Sequence, residues 1–194
     1  MWYNQLSLSN QLTLIRLIGS PLVLPFFLVY LLPLNILWLN CTLAALFLLF
    51  GFTDFLDGYF ARRHNSTSRL GAMLDPIADK FLLYSVLISL VAVHKLYFFW
   101  AIVWIGREFF IMALRQISLE HNFSVEVSSY GKLKTVFQIA CLAVIIANPY
   151  CGCSFDNSWW NSSELVLLIT ATILSVLSAY DYCLIFMQKF FLEK

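Results

Sequence analysis

Six apolar runs divide the sequence, and each keeps its ionisable residues toward one end. The runs are Leu12–Leu32, Ile36–Arg62, Pro76–Val93, Leu96–Glu120, Ser129–Ala147 and Leu165–Gln188. A helix needs about 20 mainly apolar residues to cross a hydrocarbon core about 30 Å thick. Six such helices use most of a 194-residue chain and leave only short loops. The expected fold is therefore an all-α integral membrane protein, with residues 1–194 forming one transmembrane domain. Composition agrees: 61% of the residues are hydrophobic and 12% charged, against roughly 25% charged in a soluble domain. A formal net charge of +1 excludes the broad basic field of a nucleic-acid binder.

Five cysteines do not make a disulfide framework, since Cys41, Cys141 and Cys183 lie inside apolar runs and read as small core residues. Cys151 and Cys153 form a Cys-Gly-Cys pair in a polar loop, whose spacing is weak support for a metal or redox role. The polar and aromatic start, Met1–Gln11, has no basic region of the kind that opens a cleavable signal.

Basic residues orient the spans. Of twelve Lys and Arg, eleven lie on or lead into one face, namely Arg16, Arg62, Arg63, Arg69, Lys80, Arg107, Arg115, Lys132, Lys134, Lys189 and Lys194. Lys95 stands alone on the other. Both termini are thus expected in the cytoplasm, with Trp159 and Trp160 suited to the opposite interface. The outer halves of the spans are almost purely apolar, whereas channels and transporters carry polar groups through the thickness or at the midplane. A polar chamber at the cytoplasmic leaflet fits an enzyme acting at that surface better than a cation-coupled transporter.

The second and third runs supply the densest chemistry. Taking Asp54 as zero at 100° per residue, Asp57 falls at about −60°, Gly58 at about +40° and Ala61 at about −20°. Two carboxylates and two nearly side-chain-free residues therefore share a helix face. Asp75 and Asp79, four apart, share another. Pro76 fits the first turn of a helix with Asp75 as its N-cap. The short connection makes the two helices antiparallel neighbours, so four carboxylates converge at the cytoplasmic boundary. Such acids repel one another strongly at low dielectric, and hard oxygen donors favour Mg²⁺ or Mn²⁺ as the compensating cation. Gly58 and Ala61 leave room for a phosphate-bearing ligand, with Arg62 as counter-charge. An acidic pair at helical spacing is more often a solvated helix end, and intramembrane acids also form proton relays. Two pairs on adjacent helices beside small residues and Arg favour the metal–phosphate site.

The run D-x2-D-G-x2-A-R-x8-G-x3-D-x3-D, matched at every fixed position from Asp54 to Asp79, resembles the signature of the CDP-alcohol phosphotransferase family. The resemblance implies six transmembrane helices, a homodimer, and transfer of a phosphatidyl-type group from a CDP-linked donor to an alcohol with release of CMP. It also implies Asp54, Asp57, Asp75 and Asp79 as ligands of two divalent ions, with Asp79 as general base. Asp57, Gly58, Ala61, Arg62 and Gly71 would hold the cytidine diphosphate. Softer matches flank it: Asn10-Gln-Leu12-Thr13-Leu-Ile-Arg16, Arg107-Glu108 with Ala113-Leu114-Arg115, and Gly131-Lys132-Leu-Lys134-Thr135-Val-Phe-Gln138. These are similar to the branch that makes phosphatidylglycerophosphate in a bacterial inner membrane, from CDP-diacylglycerol and sn-glycerol 3-phosphate.

A small dianionic acceptor needs cations, and Arg107, Arg115, Lys132 and Lys134 are those on the fourth and fifth spans. Lys132 and Lys134 also read as positive-inside anchors, whereas Arg107, about eleven residues into its span, requires a phosphate or an acid as partner. Glu108 points about 100° away from it on an ideal helix, so it is not an automatic partner. No Ser, Cys or His is placed as an obvious covalent nucleophile, and direct displacement is the simpler course. Serine, an inositol phosphate, or phosphatidylglycerol for cardiolipin are the alternative acceptors.

The topology is testable directly. Single cysteines at Ser66 and Asn157, in a cysteine-free background, should react with an impermeant reagent from opposite sides of the membrane; labelling of both from outside intact cells would sink the six-span arrangement.

Overall fold

A computed structural model describes residues 21–63, 69–121, 123, 129–149 and 159–192, with side chains given except at 53–63, 69–79, 129, 130, 132, 159 and 192. Among the described residues there is no strand. Helix α1 covers residues 21–31 and passes into a short 3₁₀ turn, Leu32–Leu34. It is followed by α2 (Leu37–Arg63), α3 (Arg69–Ala92), α4 (Phe98–Glu120), α5 (Ser129–Ala147) and α6 (Trp159–Leu192).

Most boundaries follow the apolar runs, but two depart from them. Helix α3 starts at Arg69 and not at Pro76. Asp75 is therefore not an N-cap and Pro76 does not occupy the first turn; both lie inside a continuous helix. A proline there costs one backbone hydrogen bond, and the rest of a 24-residue helix carries the chain through it. Helix α6 spans 34 residues and not the 24 of Leu165–Gln188. Polar residues at its two ends interrupt the apolar run without interrupting the backbone ladder. Over Trp160–Phe191 it is long and apolar enough to cross a membrane, the one helix of that kind among the described residues. Shorter apolar stretches occupy Pro21–Leu34, Leu37–Phe52, Lys80–Ala92 and Leu133–Ala147.

The chain forms two compact units. The first comprises Met1–Lys95 with Ile146–Gly152, and the second Leu96–Ile145 with Cys153–Lys194. In the first unit, α1 buries Leu24, Leu28 and Leu32, spaced by four, while Leu22, Val23, Phe26, Phe27 and Tyr30 stay exposed. Helix α2 buries Asn40, Leu43, Ala44 and Phe47, the i, i+3, i+4, i+7 stripe of one face. From α3, Leu82, Val86, Leu87 and Leu90 join that core.

A polar node closes one end of this unit. Asn40 near the start of α2 donates Nδ2 to the main-chain oxygen of Asn148, just past α5, at 2.9 Å. The ammonium of Lys95, just past α3, donates to the same oxygen. Lys95 reaches it because α3 ends in a tight reversal: Lys95 N–H bonds Leu90 C=O at 2.9 Å and His94 N–H bonds Val91 C=O at 3.1 Å. This six-to-one and five-to-two pattern needs a left-handed residue, and His94 supplies it with φ 58°. Lys95 is thus buried, with 9% exposure, against the carbonyl end of a helix, where positive charge is favoured. Since α2 begins and α3 ends at this node, the two run antiparallel. The aspartate-bearing ends lie about 20 Å away along the helices.

Two donors sharing one carbonyl generate a prediction. Lys95→Met and Asn40→Ala should each lower folding stability by about 1–3 kcal/mol. Their effects should not add, because the second loss removes a contact already loosened by the first. Thermal unfolding of the detergent-purified single and double variants measures both, and strict additivity would mean the two side chains act independently.

Candidate active site

The second unit brings together a cluster of buried charges. Along α4, Trp104, Arg107, Glu108 and Ile111 recur at three and four residues, so they share a face. Helix α6 answers with Leu168, Ala171, Ser175, Ser178, Tyr182 and Phe186, all buried at the same spacing. The α4–α6 seam is largely polar. Trp104 Nε1 donates to Thr172 Oγ1 at 2.9 Å. Arg107 donates Nε to the main-chain oxygen of Ser175 at 3.3 Å, and Nη2 to Ser178 Oγ. Thr172 and Ser178 in turn donate to the Leu168 and Ser175 carbonyls of their own helix. Ser178, Thr172 and Arg107 are tolerable in this seam because each finds an acceptor or donor within the protein, and Ser175 contributes its main-chain oxygen.

The third nitrogen of Arg107 resolves what the sequence left open. Nη1 lies 2.6 Å from Glu108 Oε1, and the ammonium of Lys134 on α5 donates to that same oxygen. Ideal helical angles separate adjacent residues by about 100°, but a guanidinium on a three-carbon stem bends back along the helix surface. Glu108 is therefore Arg107's partner after all, and Lys134's as well. The side chains of Arg107, Glu108 and Lys134 are 12%, 13% and 5% exposed, so this is a buried triad and not a surface pair.

Beside it stand polar atoms with no hydrogen-bond partner among the described residues. They are Gln138 Nε2, one helical turn beyond Lys134, together with Ser175 Oγ and Tyr182 OH. Toward the ends of α4 and α6, Ile111, Phe123, Tyr182 and Phe186 form an apolar cluster that pins the residue just past α4. Phe123 and Phe186 approach to 5.6 Å between ring centres, and His121 meets Phe190 edge-on at 5.1 Å.

The remaining expected site residues are distributed as follows. Arg115 is exposed on α4. The side chain of Lys132 lies outside the described residues, as do those of Asp54, Asp57, Ala61, Arg62, Asp75 and Asp79. Their backbone, with that of Gly58 and Gly71, is helical: Asp54 to Arg62 occupy the last turns of α2, and Gly71 to Asp79 the first turns of α3. Cys151 and Cys153 also fall outside the described residues. No group of three potential metal ligands occurs among the described residues.

Ser175, Ser178 and Thr172 escaped sequence reasoning, although the signal was present. Hydroxyls at 172, 175 and 178, with Tyr182 after them, mark one polar stripe on an otherwise apolar helix. A polar stripe inside an apolar span calls for a buried partner.

Residues 6–186 match the model of the CDP-alcohol phosphatidyltransferase family, and the chain belongs to that family. It is 37% identical over 186 residues to the CDP-diacylglycerol–glycerol-3-phosphate 3-phosphatidyltransferase of Escherichia coli (strain K12), covering 92% of this chain and 93% of the relative. The proteins of the same name from Shigella sonnei (strain Ss046) and Shigella boydii serotype 4 (strain Sb227) show the same identity and coverage.

Proposed function

We propose that this protein transfers the phosphatidyl group of CDP-diacylglycerol to sn-glycerol 3-phosphate, giving phosphatidylglycerophosphate and CMP. The observation that carries this reading is the 37% identity, sustained over 92% of the chain, to phosphatidyltransferases that bear that donor and acceptor in their name. The described charge cluster is consistent with it: two cations, Arg107 and Lys134, are held on one carboxylate oxygen. A small phosphate monoester is the kind of acceptor that such a pair recognises.

In this reading the donor belongs to α2 and α3. Both helices run without a break through their aspartates, which keeps Asp54 with Asp57, and Asp75 with Asp79, at three- and four-residue spacing. That hard-oxygen donor set suits Mg²⁺ or Mn²⁺, and the four aspartates would hold two such ions. Ions held by these aspartates would supply neutralisation of the pyrophosphate charge and stabilisation of the leaving CMP. Asp57, Gly58, Ala61, Arg62 and Gly71 hold the cytidine diphosphate. The primary hydroxyl of glycerol 3-phosphate attacks the lipid-bearing β-phosphorus, the bond to the bridging oxygen breaks, and CMP leaves with that electron pair. Asp79 accepts the hydroxyl proton as general base. Arg107 and Lys134 bind the acceptor's phosphate, with Lys132 and Arg115 completing the cations of α4 and α5.

The chain is read as six spans with both termini cytoplasmic, acting as a homodimer at the cytoplasmic face of a bacterial inner membrane. The outward face of α6 supports burial in lipid, since Leu165, Val166, Ile169, Ile173, Val176, Leu177 and Leu184 are all exposed.

Purified protein supplied with CDP-diacylglycerol, Mg²⁺ and a panel of acceptors tests the reaction. CMP release with glycerol 3-phosphate is expected; release only with serine, an inositol phosphate or phosphatidylglycerol would reassign the acceptor, and ion flux without CMP release would overturn the enzyme. Asp75→Asn should abolish CMP release and weaken metal binding. Metal-free thermal stability should hold or rise, because a repelling carboxylate is gone. Substantial activity at ordinary Mg²⁺ concentrations would remove Asp75 from the ligand set. Arg107→Ala and Lys134→Ala should each raise the KM for glycerol 3-phosphate far more than that for CDP-diacylglycerol. The loss corresponds to about 1.5–3 kcal/mol, roughly ten- to more than a hundredfold in kcat/KM. Equal losses for both substrates would make these residues props of the fold.

A further inference from the structure

Arg107 and Lys134 come from different helices, 26 positions apart in sequence, yet both place a donor on one atom, Glu108 Oε1. Two like charges do not converge in a low-dielectric seam unaided. The carboxylate between them offsets their repulsion, and the hold on Arg107 is completed by the Ser175 carbonyl and Ser178 hydroxyl of α6. The same contact has a cost for any anion that uses these cations. A phosphate oxygen arriving at Arg107 Nη1 or at the Lys134 ammonium must share or replace the hydrogen bond now made to Glu108. Part of its binding free energy is then spent against the carboxylate's own attraction and its negative charge.

We propose that Glu108 is the positioning and affinity-setting residue of the acceptor site: it gathers Arg107 and Lys134 onto one oxygen and competes with the acceptor's phosphate for them. The proposal rests on the assignment of those two cations to the acceptor phosphate. It gives the carboxylate a purpose in turnover. The phosphate monoester of glycerol 3-phosphate is carried unchanged into the lipid product, so cations that hold the acceptor too firmly also hold the product. A built-in anion returns the pair to its starting state when the product leaves. Weakened binding and faster release are two faces of one competition.

The test is Glu108→Gln, which keeps an oxygen able to accept from both cations and removes the charge. With the full-length detergent-purified protein, the KM for glycerol 3-phosphate should fall roughly three- to tenfold, the scale set by competition with a partly buried ion pair. The inhibition constant of inorganic phosphate, competing with glycerol 3-phosphate, should fall by a similar factor. The KM for CDP-diacylglycerol should stay at the wild-type value, and kcat should drop as product release slows. A folded variant whose KM for glycerol 3-phosphate is unchanged or raised overturns the proposal, as does a parallel change for both substrates. Where uncompensated charge prevents Glu108→Gln from folding, Glu108→Gln/Lys134→Met restores the wild-type net charge of the cluster. Its KM for glycerol 3-phosphate should lie below that of Lys134→Met alone, and an equal or higher value refutes the competition. The outcomes separate the two layers of the argument. If Arg107→Ala and Lys134→Ala leave the KM for glycerol 3-phosphate at the wild-type value, the acceptor assignment fails and Glu108's role falls with it. If they raise it while Glu108→Gln does not lower it, the acceptor assignment stands and the role of Glu108 alone is refuted.

Discussion

The structure depends on confining charge to places where the protein itself can answer it. The helices reverse the usual arrangement of a water-soluble domain: α6 exposes Leu165, Ile169, Ile173 and Val176 and buries Ser175, Ser178 and Tyr182. In an apolar surrounding, an exposed leucine costs nothing, whereas an unanswered hydroxyl or guanidinium costs several kcal/mol. Every ionisable residue inside a span must therefore meet a partner. Arg107, with all three guanidinium nitrogens used across α4 and α6, shows how fully that demand is met.

The two units meet this demand differently. In the first, the buried cation Lys95 sits at the C-terminal end of a helix and shares a carbonyl with Asn40. That contact is closed and local, and its work is to join helix ends. In the second, Arg107 and Lys134 meet on one oxygen of Glu108, and Gln138 Nε2, one turn past Lys134, and Ser175 Oγ are buried without partners among the described residues.

Membership of the CDP-alcohol phosphatidyltransferase family sets the charge problem that the chain faces. A CDP-linked lipid and a phosphorylated alcohol are both anionic, so the chain needs two separate means of holding negative charge. Carboxylates with divalent ions serve a pyrophosphate, because hard oxygens on both sides share the cation. Arginine and lysine serve a phosphate monoester, because they donate hydrogen bonds directly. In the proposed reading one device goes to each substrate, which would let acceptor choice vary without disturbing the donor chemistry.

Helix number, the run of α5 and the placement of Asp54 and Asp57 on one helix were legible in the sequence, because apolar length and 3.6-residue periodicity are local properties; the helical placement of Asp75 was not, since Pro76 read as a helix start. Asp54, Asp57, Asp75 and Asp79 needed no tertiary information to stand out as candidates, since two acid pairs on neighbouring apolar runs, beside small residues and Arg, favour a metal–phosphate reading over a solvated helix end. Helix limits were less legible: α3 runs seven residues ahead of Pro76, as the cost of one missing hydrogen bond is small beside a long helix. What only the tertiary structure decided is partnership. Sequence spacing set Glu108 aside as a partner for Arg107, and it could not pair Lys134 with either, nor Lys95 with Asn148 across 53 positions. Those pairings depend on how long flexible side chains from different helices converge. Periodicity orients a Cβ, but the partner of a charge is chosen by the packed seam around it.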